Sequence, residues 1–240
     1  MTGLGTMVNA AAIILGSAAG LLLKGGLPKR LQDTITSAVG LCVIFVGAAG
    51  ALSGLFTVSG GALETKDTMM MIFSMAAGAA LGEWLDIERR LENLGKWCRA
   101  RIPSGHAGAG FVDAFVTSSL LFCVGAMAIV GSLEDGLNHE FSTLFAKSVM
   151  DGIMAVVFSA AMGIGTIFSV IPVVIYQGSI TLLAGALRPF LTELMIGRMS
   201  CVGSILIFAL GLNLAVGTKI RIGNMLPAAF LPVLFCALGF

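Results

Sequence analysis

Long apolar runs recur from one end of the chain to the other, and they constrain the fold more than any other feature. The run SSLLFCVGAMAIVG, residues 118–131, is typical of them. Charged residues make up 11% of the 240 residues and hydrophobic residues 57%, whereas soluble domains carry about 25% charged residues. The sequence therefore predicts an all-α integral membrane protein, because a helix satisfies its own backbone hydrogen bonds in lipid.

Eight of these runs can cross a hydrocarbon core, which takes about 17–25 residues of helix. We predict about eight transmembrane helices in a single transmembrane domain over residues 1–240. Gly163, Gly165 and Pro172 are predicted to separate the fifth span from the sixth. The predicted spans are Thr6–Leu23, Thr36–Phe56, Thr68–Leu85, Val112–Gly131, Ser148–Ile167, Ser169–Leu187, Met199–Ala215 and Asn224–Phe240.

The distribution of basic residues predicts the orientation. If the N-terminus lies outside, ten of the 14 Lys and Arg residues fall in inner loops, as the positive-inside rule requires. Eight spans then place both termini on the extracytoplasmic side. Between the third and fourth spans, about residues 86–102, Ile87, Leu91, Leu94, Cys98 and Ile102 recur at helical spacing opposite a basic face. This pattern predicts an interfacial amphipathic helix on the inner leaflet; a solvated linker is the alternative.

Two stretches of the chain resemble each other. GSAAGLLLKGGLPKRL followed by VGLCVIF near the start parallels GSITLLAGALRPFL followed by VGSILIF near the end. The copies are offset by an odd number of spans, so they predict an inverted repeat of the kind found in secondary transporters; shared apolar composition is the alternative. GxxxG pairs at Gly16/Gly20 and Gly78/Gly82 predict close helix packing, within one chain or across a homodimer.

Acidic residues gather around the hairpin between the fourth and fifth predicted spans. Glu134 and Asp135 close the fourth span, Asp151 begins the fifth, and Lys147 is close by. Two hypotheses stay open. The three carboxylates form a cation- or proton-binding vestibule, or Asp151 caps the fifth helix while the other two are solvated.

Uncharged polar residues inside the spans extend this candidate substrate- or ion-binding site. Tyr176, Gln177 and Ser179 come together in IYQGSIT, where Gly178 predicts a locally opened helix whose carbonyls could coordinate an ion or solute. Asn9, Asn213 and Asn224 lie in the first, seventh and last spans. The alternative role for all six is interhelical hydrogen bonding.

Four stretches together carry a family resemblance: GLGTMVNAAAIILGSAAGLLLKGGLP, FCVGAMAIVGSLEDGL, VIYQGSITLLAG and IRIGNMLPA. Over nearly its whole length the chain resembles the bacterial domain-of-unknown-function family 554. This resemblance implies a multi-pass protein of the bacterial cytoplasmic (inner) membrane, sometimes described as a transporter, and implies no substrate.

These features favour a small secondary transporter or ion-coupled carrier over two alternatives, a channel and a non-transporting scaffold or regulatory subunit. The expected partners are the lipid bilayer, a small ion or solute and a second copy of the chain, and not nucleic acid. Five scattered cysteines and two histidines predict no cofactor and no metal site. No HExxH, GxSxG or Walker pattern is present, so we expect no enzyme activity.

Overall fold

The computed structural model describes residues 2–24, 28–101, 110–187 and 191–237. These parts of the chain are mainly helical and contain one short hairpin. In chain order the elements are α1 (Leu4–Lys24), α2 (Lys29–Leu55), β1 (Phe56–Ser59), β2 (Ala62–Thr65), α3 (Thr68–Leu85), α4 (Ile87–Ala100), α5 (Phe111–Cys123), α6 (Ala126–Asn138), α7 (Ser142–Met162), α8 (Gly165–Phe168), α9 (Val170–Leu187), α10 (Glu193–Val216), α11 (Ile222–Met225), a 3₁₀ turn (Leu226–Ala229) and α12 (Leu231–Ala237).

Six helical segments of the described chain are long and apolar enough to cross a membrane: α1, α2, α3, α7, α8 with α9, and α10. A seventh is formed if the bent pair α5 and α6 is one span. Over its described residues, the last predicted span, Asn224–Phe240, is instead divided among short helices. The apolar helical segment here is Ile222–Cys236, which is shorter than the six long helices. Pro227 and Pro232 lie in this segment, and proline lacks the N–H group that a continuous helix needs. The apolar helices show a membrane protein, and the count of eight spans stays a prediction.

The predicted break between the fifth and sixth spans is present at Gly163. This residue ends α7 with a φ of 104°, a conformation that glycine adopts without strain. Pro172 does not contribute to the break, because it lies in the first turn of α9, where a missing N–H costs no helical hydrogen bond. The break therefore depends on glycine alone.

A hairpin departs from the all-α prediction. Strands β1 and β2 pair antiparallel, with Phe56 opposite Thr65 and Ser59 opposite Ala62. Gly60 and Gly61 connect them with φ values of 57° and 85°, as a two-residue hairpin turn requires. The hairpin continues directly from α2, and only its first residue, Phe56, fell within the second predicted span.

The chain divides into two compact units. The first comprises Met1–Val39, Leu91–Cys123 and Met127–Arg188. Within it α1 packs along α7, and a Cβ on Gly16 or Gly20 would overlap the carbonyl oxygen of Gly152 or Val156. The two backbones thus approach as closely as small residues allow, and this GxxxG pair is used inside the chain.

The second unit comprises Gly40–Arg90, Val124–Ala126 and Pro189–Phe240. Here a Cβ on Gly47 would overlap the backbone of Phe208, and one on Gly211 would overlap that of Ile44. Because the contacts descend along α10 as they ascend along α2, the two helices run antiparallel. The prediction of a single domain stays a prediction.

Helix α4 is present where the interfacial helix was predicted, and Ile102 lies outside the described residues. Its buried face is narrow: Cys98 packs with Phe111 and Phe115 of α5. Burial raises the pKa of the Cys98 thiol, while the Arg101 guanidinium acts in the opposite direction. Cys98 is 2% exposed and acts as an apolar packing residue of α4.

The other face of α4 is polar and aromatic. The guanidinium carbon of Arg101 lies 3.4 Å from the centre of the Trp97 ring, and Trp97 is half exposed. This cation–π pair places a large apolar ring beside a positive charge, a combination suited to a membrane interface. The position of α4 at the inner leaflet stays a prediction.

Candidate functional site

Helix α7 carries the charged residues of the site near its middle. It begins at Ser142, six residues before the predicted start of the fifth span. Asp151 is therefore ten residues into a helix of 21, and the hypothesis that it caps the helix is wrong. Lys147, which the prediction placed in the hairpin before the fifth span, lies inside α7, one turn from Asp151, and pairs with it.

Lys147 and Asp151 form a buried ion pair through Nζ and Oδ2, and their side chains are 7% and 11% exposed. Asn9 of α1 donates from Nδ2 to the same carboxylate oxygen over 3.0 Å. The carboxylate thus holds a cation from its own helix and an amide from the neighbouring helix. A buried charge pair needs such additional hydrogen bonds to offset its desolvation.

Gln177 of α9 completes this group. Its Oε1 accepts a hydrogen bond of 3.3 Å from Asn9 Nδ2, and both side chains are fully buried. Asn9 Oδ1 and Gln177 Nε2 have no hydrogen-bond partner within the described parts of the chain. We call Asn9, Lys147, Asp151 and Gln177 the polar cluster; it joins α1, α7 and α9 and leaves one acceptor and one donor unused.

Helices α5 and α6 are separated by a break, and a carbonyl near the end of α5 bonds to the polar cluster. The two helices are bent by 61° across Val124 and Gly125, and Gly125 has a φ of 141°. A break of this kind frees carbonyl groups that a continuous helix would use. The Phe122 carbonyl accepts a hydrogen bond of 2.9 Å from Lys147 Nζ, so Lys147 joins the break to the carboxylate.

The opened helix predicted at Gly178 is not observed. Helix α9 is continuous from Val170 to Leu187, and Gln177 lies within it. The side-chain amide of Gln177 hydrogen-bonds to Asn9. A glutamine inside this span therefore does not require an opened helix with exposed carbonyls. The broken helices of the described chain lie instead at Gly125, at Gly163 and in the last apolar segment.

Asp135 caps α1 from a distance. Its Oδ1 accepts a hydrogen bond of 2.8 Å from Gly3 N, and its Oδ2 accepts one of 3.0 Å from Gly5 N. The carboxylate is fully buried and satisfies amides that the first turn of a helix leaves free. Gly5 and Asn9 are four residues apart on α1, which places Asp135 about 6 Å from the level of the polar cluster along that helix.

Comparison with known proteins identifies a family and two relatives. The family model described as protein of unknown function (DUF554) matches residues 4–237. The chain belongs to this family. It is 28% identical over 229 residues to the uncharacterized membrane protein YdfK of Bacillus subtilis (strain 168), covering 95% of this chain and 93% of YdfK.

A second relative of this DUF554 chain is the uncharacterized protein YqgA of Escherichia coli (strain K12). The identity is 29% over 235 residues, which cover 95% of this chain and 94% of YqgA. No solved structure matches the chain. The apolar helices and the YdfK relative together show that the DUF554 chain is a membrane protein.

The three predicted carboxylates of the DUF554 chain do not share a direct contact. Asp135 bonds to α1 amides, Asp151 pairs with Lys147, and Glu134 is partly buried with an Oε2 that has no partner within the described parts of the chain. Asp135–Gly136 is not a turn, because α6 continues to Asn138; a Cβ on Gly136 would overlap the Thr181 carbonyl of α9.

The remaining predicted residues lie elsewhere in the DUF554 chain. Tyr176 is half-buried beside Gln177, while the exposed Ser179 donates its hydroxyl to the Ile175 carbonyl of its own helix over 2.5 Å. Asn213 and Asn224 belong to the second unit. They have structural partners there, Asn213 with the loop at Ile220 and Asn224 with Glu83 and Glu88.

Lys147 belongs to the site, although its place near Asp151 in the sequence predicted no role for it. Its i, i+4 spacing to Asp151 within an apolar helix is the signal that identifies the pair. A partly buried pair, Asp67 with Arg198 over 2.6 Å, lies in the other unit beside a cavity of about 330 Å³ and was also missed. Within the described residues, no three His, Cys, Asp or Glu side chains form a group that could hold a metal ion.

Proposed function

We propose that the chain is a small secondary transporter or ion-coupled carrier and that the polar cluster is its substrate- or ion-binding site. The observation that carries this proposal is the Lys147–Asp151 pair near the middle of a membrane-spanning helix. An ionisable group at this depth costs about 2.5–3.5 kcal/mol on insertion scales. A structural role would be served as well by apolar side chains, which often replace a buried ion pair without loss of stability.

The break between α5 and α6 supports the same proposal. Secondary transporters use discontinuous helices whose free backbone groups face an ion or solute near the bilayer midplane. The Phe122 carbonyl is such a group, and it accepts a hydrogen bond from the Lys147 ammonium. The polar cluster and the Phe122 carbonyl thus bring together a main-chain oxygen, a carboxylate and two amides.

A series of unpartnered polar atoms around α1 favours access by water. Buried polar atoms without a protein partner are ordinarily satisfied by water or by a bound ion. Within the described part of the first unit, such atoms occur on four helices, and besides Asn9 Oδ1 and Gln177 Nε2 they belong to Thr6, Ser17, Ser132, Glu134, Ser159 and Thr181. A hydrated path to the polar cluster would give these atoms their partners.

Location, orientation and symmetry belong to the same proposal. The chain would lie in the bacterial cytoplasmic membrane with its termini outside, as the basic loops predict. An inverted repeat would relate α1–α2 to α9–α10, and the antiparallel packing of α2 on α10 is what inverted copies of one helix require. The homodimer stays a prediction. The GxxxG glycines do not support it, because they are packed within the chain: Gly16, Gly20, Gly78 and Gly82.

Two alternatives differ in what they predict for transport. A channel would use the same polar cluster without alternating access, and a scaffold or regulatory subunit would move no solute. The test is a flux screen in proteoliposomes with small cations and anions, with and without a pH gradient. Flux that requires the protein and is lost in Asp151→Asn supports transport through the polar cluster. Uphill accumulation of the solute under the pH gradient then supports the carrier, and flux only down the solute's own gradient supports the channel. No flux of any tested solute favours the scaffold.

A further inference from the structure

The contacts of Asp151 limit the kind of ion that it can take. Oδ2 meets the Lys147 ammonium and the Asn9 amide nitrogen, both of which are hydrogen donors. A metal ion at this oxygen would have to displace both and would need several further oxygen ligands. A proton needs neither volume nor a ligand shell, so it can bind to the carboxylate as the site is built.

Few other ionisable groups face Asp151. From α5 it interacts electrostatically with Cys123, and from α9 the nearest ionisable neighbour of the polar cluster is Tyr176. The facing residue of α1 is the neutral Asn9, α8 (GTIF) has no ionisable side chain, and Asp135 of α6 is bound to amides of α1. Lys147 is therefore the formal charge that the described residues place against Asp151.

Protonation of Asp151 changes the charge of the polar cluster. The carboxylate takes up one proton and becomes a neutral acid, Lys147 keeps its ammonium, and the sum of formal charges rises from zero to +1. An ammonium without its counter-charge is strongly unfavourable in a buried site. Lys147 must then move toward water or an anion, and its hydrogen bond to the Phe122 carbonyl must change with it.

We infer that the coupling ion is the proton, that Asp151 carries it, and that Lys147 transmits its binding to the break between α5 and α6. This assignment rests on the carrier function proposed above. Gly125, with its φ of 141°, is the point at which the angle between the two helices can change. The bend of 61° is accordingly the state in which Asp151 is ionised and Lys147 bridges the carboxylate and the Phe122 carbonyl.

The experiment measures the angle at the break without measuring transport. Spin labels are placed at the exposed positions Asp113 on α5 and Asn138 on α6, as Asp113→Cys and Asn138→Cys, with the five native cysteines replaced by alanine. Distance distributions are recorded in acidic and alkaline buffer by pulsed electron paramagnetic resonance. Glu92→Gln, which breaks the exposed Lys96–Glu92 pair on α4, is the matched control.

We expect the distribution to shift between acidic and alkaline buffer in the labelled chain and in Glu92→Gln. Asp151→Asn should give the acidic distribution in both buffers. If Asp151→Asn does not fold, the double variant Lys147→Met/Asp151→Asn removes the stranded charge and should show no shift. A pH-independent distribution in the labelled chain, or a shift that persists without Asp151, would overturn the assignment.

The flux screen tests the carrier function and the distance measurement tests the proton assignment, so each can be contradicted without the other. A pH-dependent break in a chain that moves no solute would contradict the carrier function and leave Asp151 as the proton site. Protein-dependent flux that a proton gradient does not drive, combined with a break that pH does not move, would contradict the proton assignment and leave the carrier function standing.

Discussion

The ion pair of Lys147 and Asp151 is the residue-level feature on which the account depends. Asp151→Asn leaves an unpaired ammonium in the interior, and we expect it to lower the free energy of unfolding by about 3–5 kcal/mol. Lys147→Met/Asp151→Asn should recover most of that loss, because no charge is left without a partner. Denaturant titration in detergent micelles measures both values.

The pair of Lys96 and Glu92 provides a control with the same spacing. Its atoms are 3.2 Å apart and its side chains are 60% and 43% exposed, so solvent screens the interaction. Glu92→Gln should therefore change the free energy of unfolding by no more than about 0.5 kcal/mol. If Asp151→Asn lowered the free energy of unfolding by no more than this control, the buried pair would contribute no more to stability than the exposed pair.

Asp135 makes a different prediction, since it is bound to backbone amides and, within the described residues, has no cation partner among its hydrogen bonds. Asp135→Ala leaves the Gly3 and Gly5 N–H groups without their acceptor, and loss of such a cap costs about 0.5–2 kcal/mol. Asp33→Ala, an exposed position on α2, is the control and should fall within about 0.5 kcal/mol of the parent. Equal stability of the two variants would contradict the capping role.

The sequence indicates which residue types are unusual, but not which of them meet. Asn9, Asp151 and Gln177 stand out because polar side chains are rare in apolar helices. They come together because α1 packs on both α7 and α9, a contact that no local pattern predicts. Ser179 has the same local setting as Gln177, yet it faces outward, since the two residues lie on different sides of α9.

Close packing of helices is the element-level feature that the glycines report. Gly16→Ala places a Cβ against the Gly152 carbonyl of α7, and overpacking of this kind costs about 1–3 kcal/mol. Gly185→Ala on α9 is the matched control, because its Cβ meets no described atom within 4 Å. It should be neutral or stabilise the helix by up to about 1 kcal/mol. A Gly16→Ala variant as stable as Gly185→Ala would contradict the α1–α7 packing.

The helices themselves could be predicted where they are long and apolar. Spans corresponding to α1, α2, α3 and α10 needed only the length rule, and α3 begins and ends as predicted. The start of α7 was misplaced because Lys147 resembled the end of a span. The break at Gly125 was missed because one glycine among many gives no local signal, whereas its φ and the Lys147 hydrogen bond exist only in the folded chain.

The path of the whole chain through the membrane gives a further prediction. We predict that one span, α3, separates the β1–β2 hairpin from α4, which would place the two on opposite sides of the membrane. In a cysteine-free background, Glu64→Cys on the hairpin should react with an impermeant maleimide in intact cells, and Glu92→Cys on α4 only after lysis. Labelling of both positions in intact cells, or labelling of Glu92→Cys alone, would contradict the predicted orientation.

Transport by the reconstituted chain decides whether the polar cluster binds the transported solute. Proteoliposomes containing the parent protein, Glu92→Gln or Lys147→Met/Asp151→Asn are loaded with the solute that the flux screen identifies, and its movement is followed under an imposed proton gradient. We predict equal rates for the parent and Glu92→Gln, and a loss to the rate of protein-free liposomes for the double variant. A double variant that folds and transports at the parent rate would show that the polar cluster is not the site.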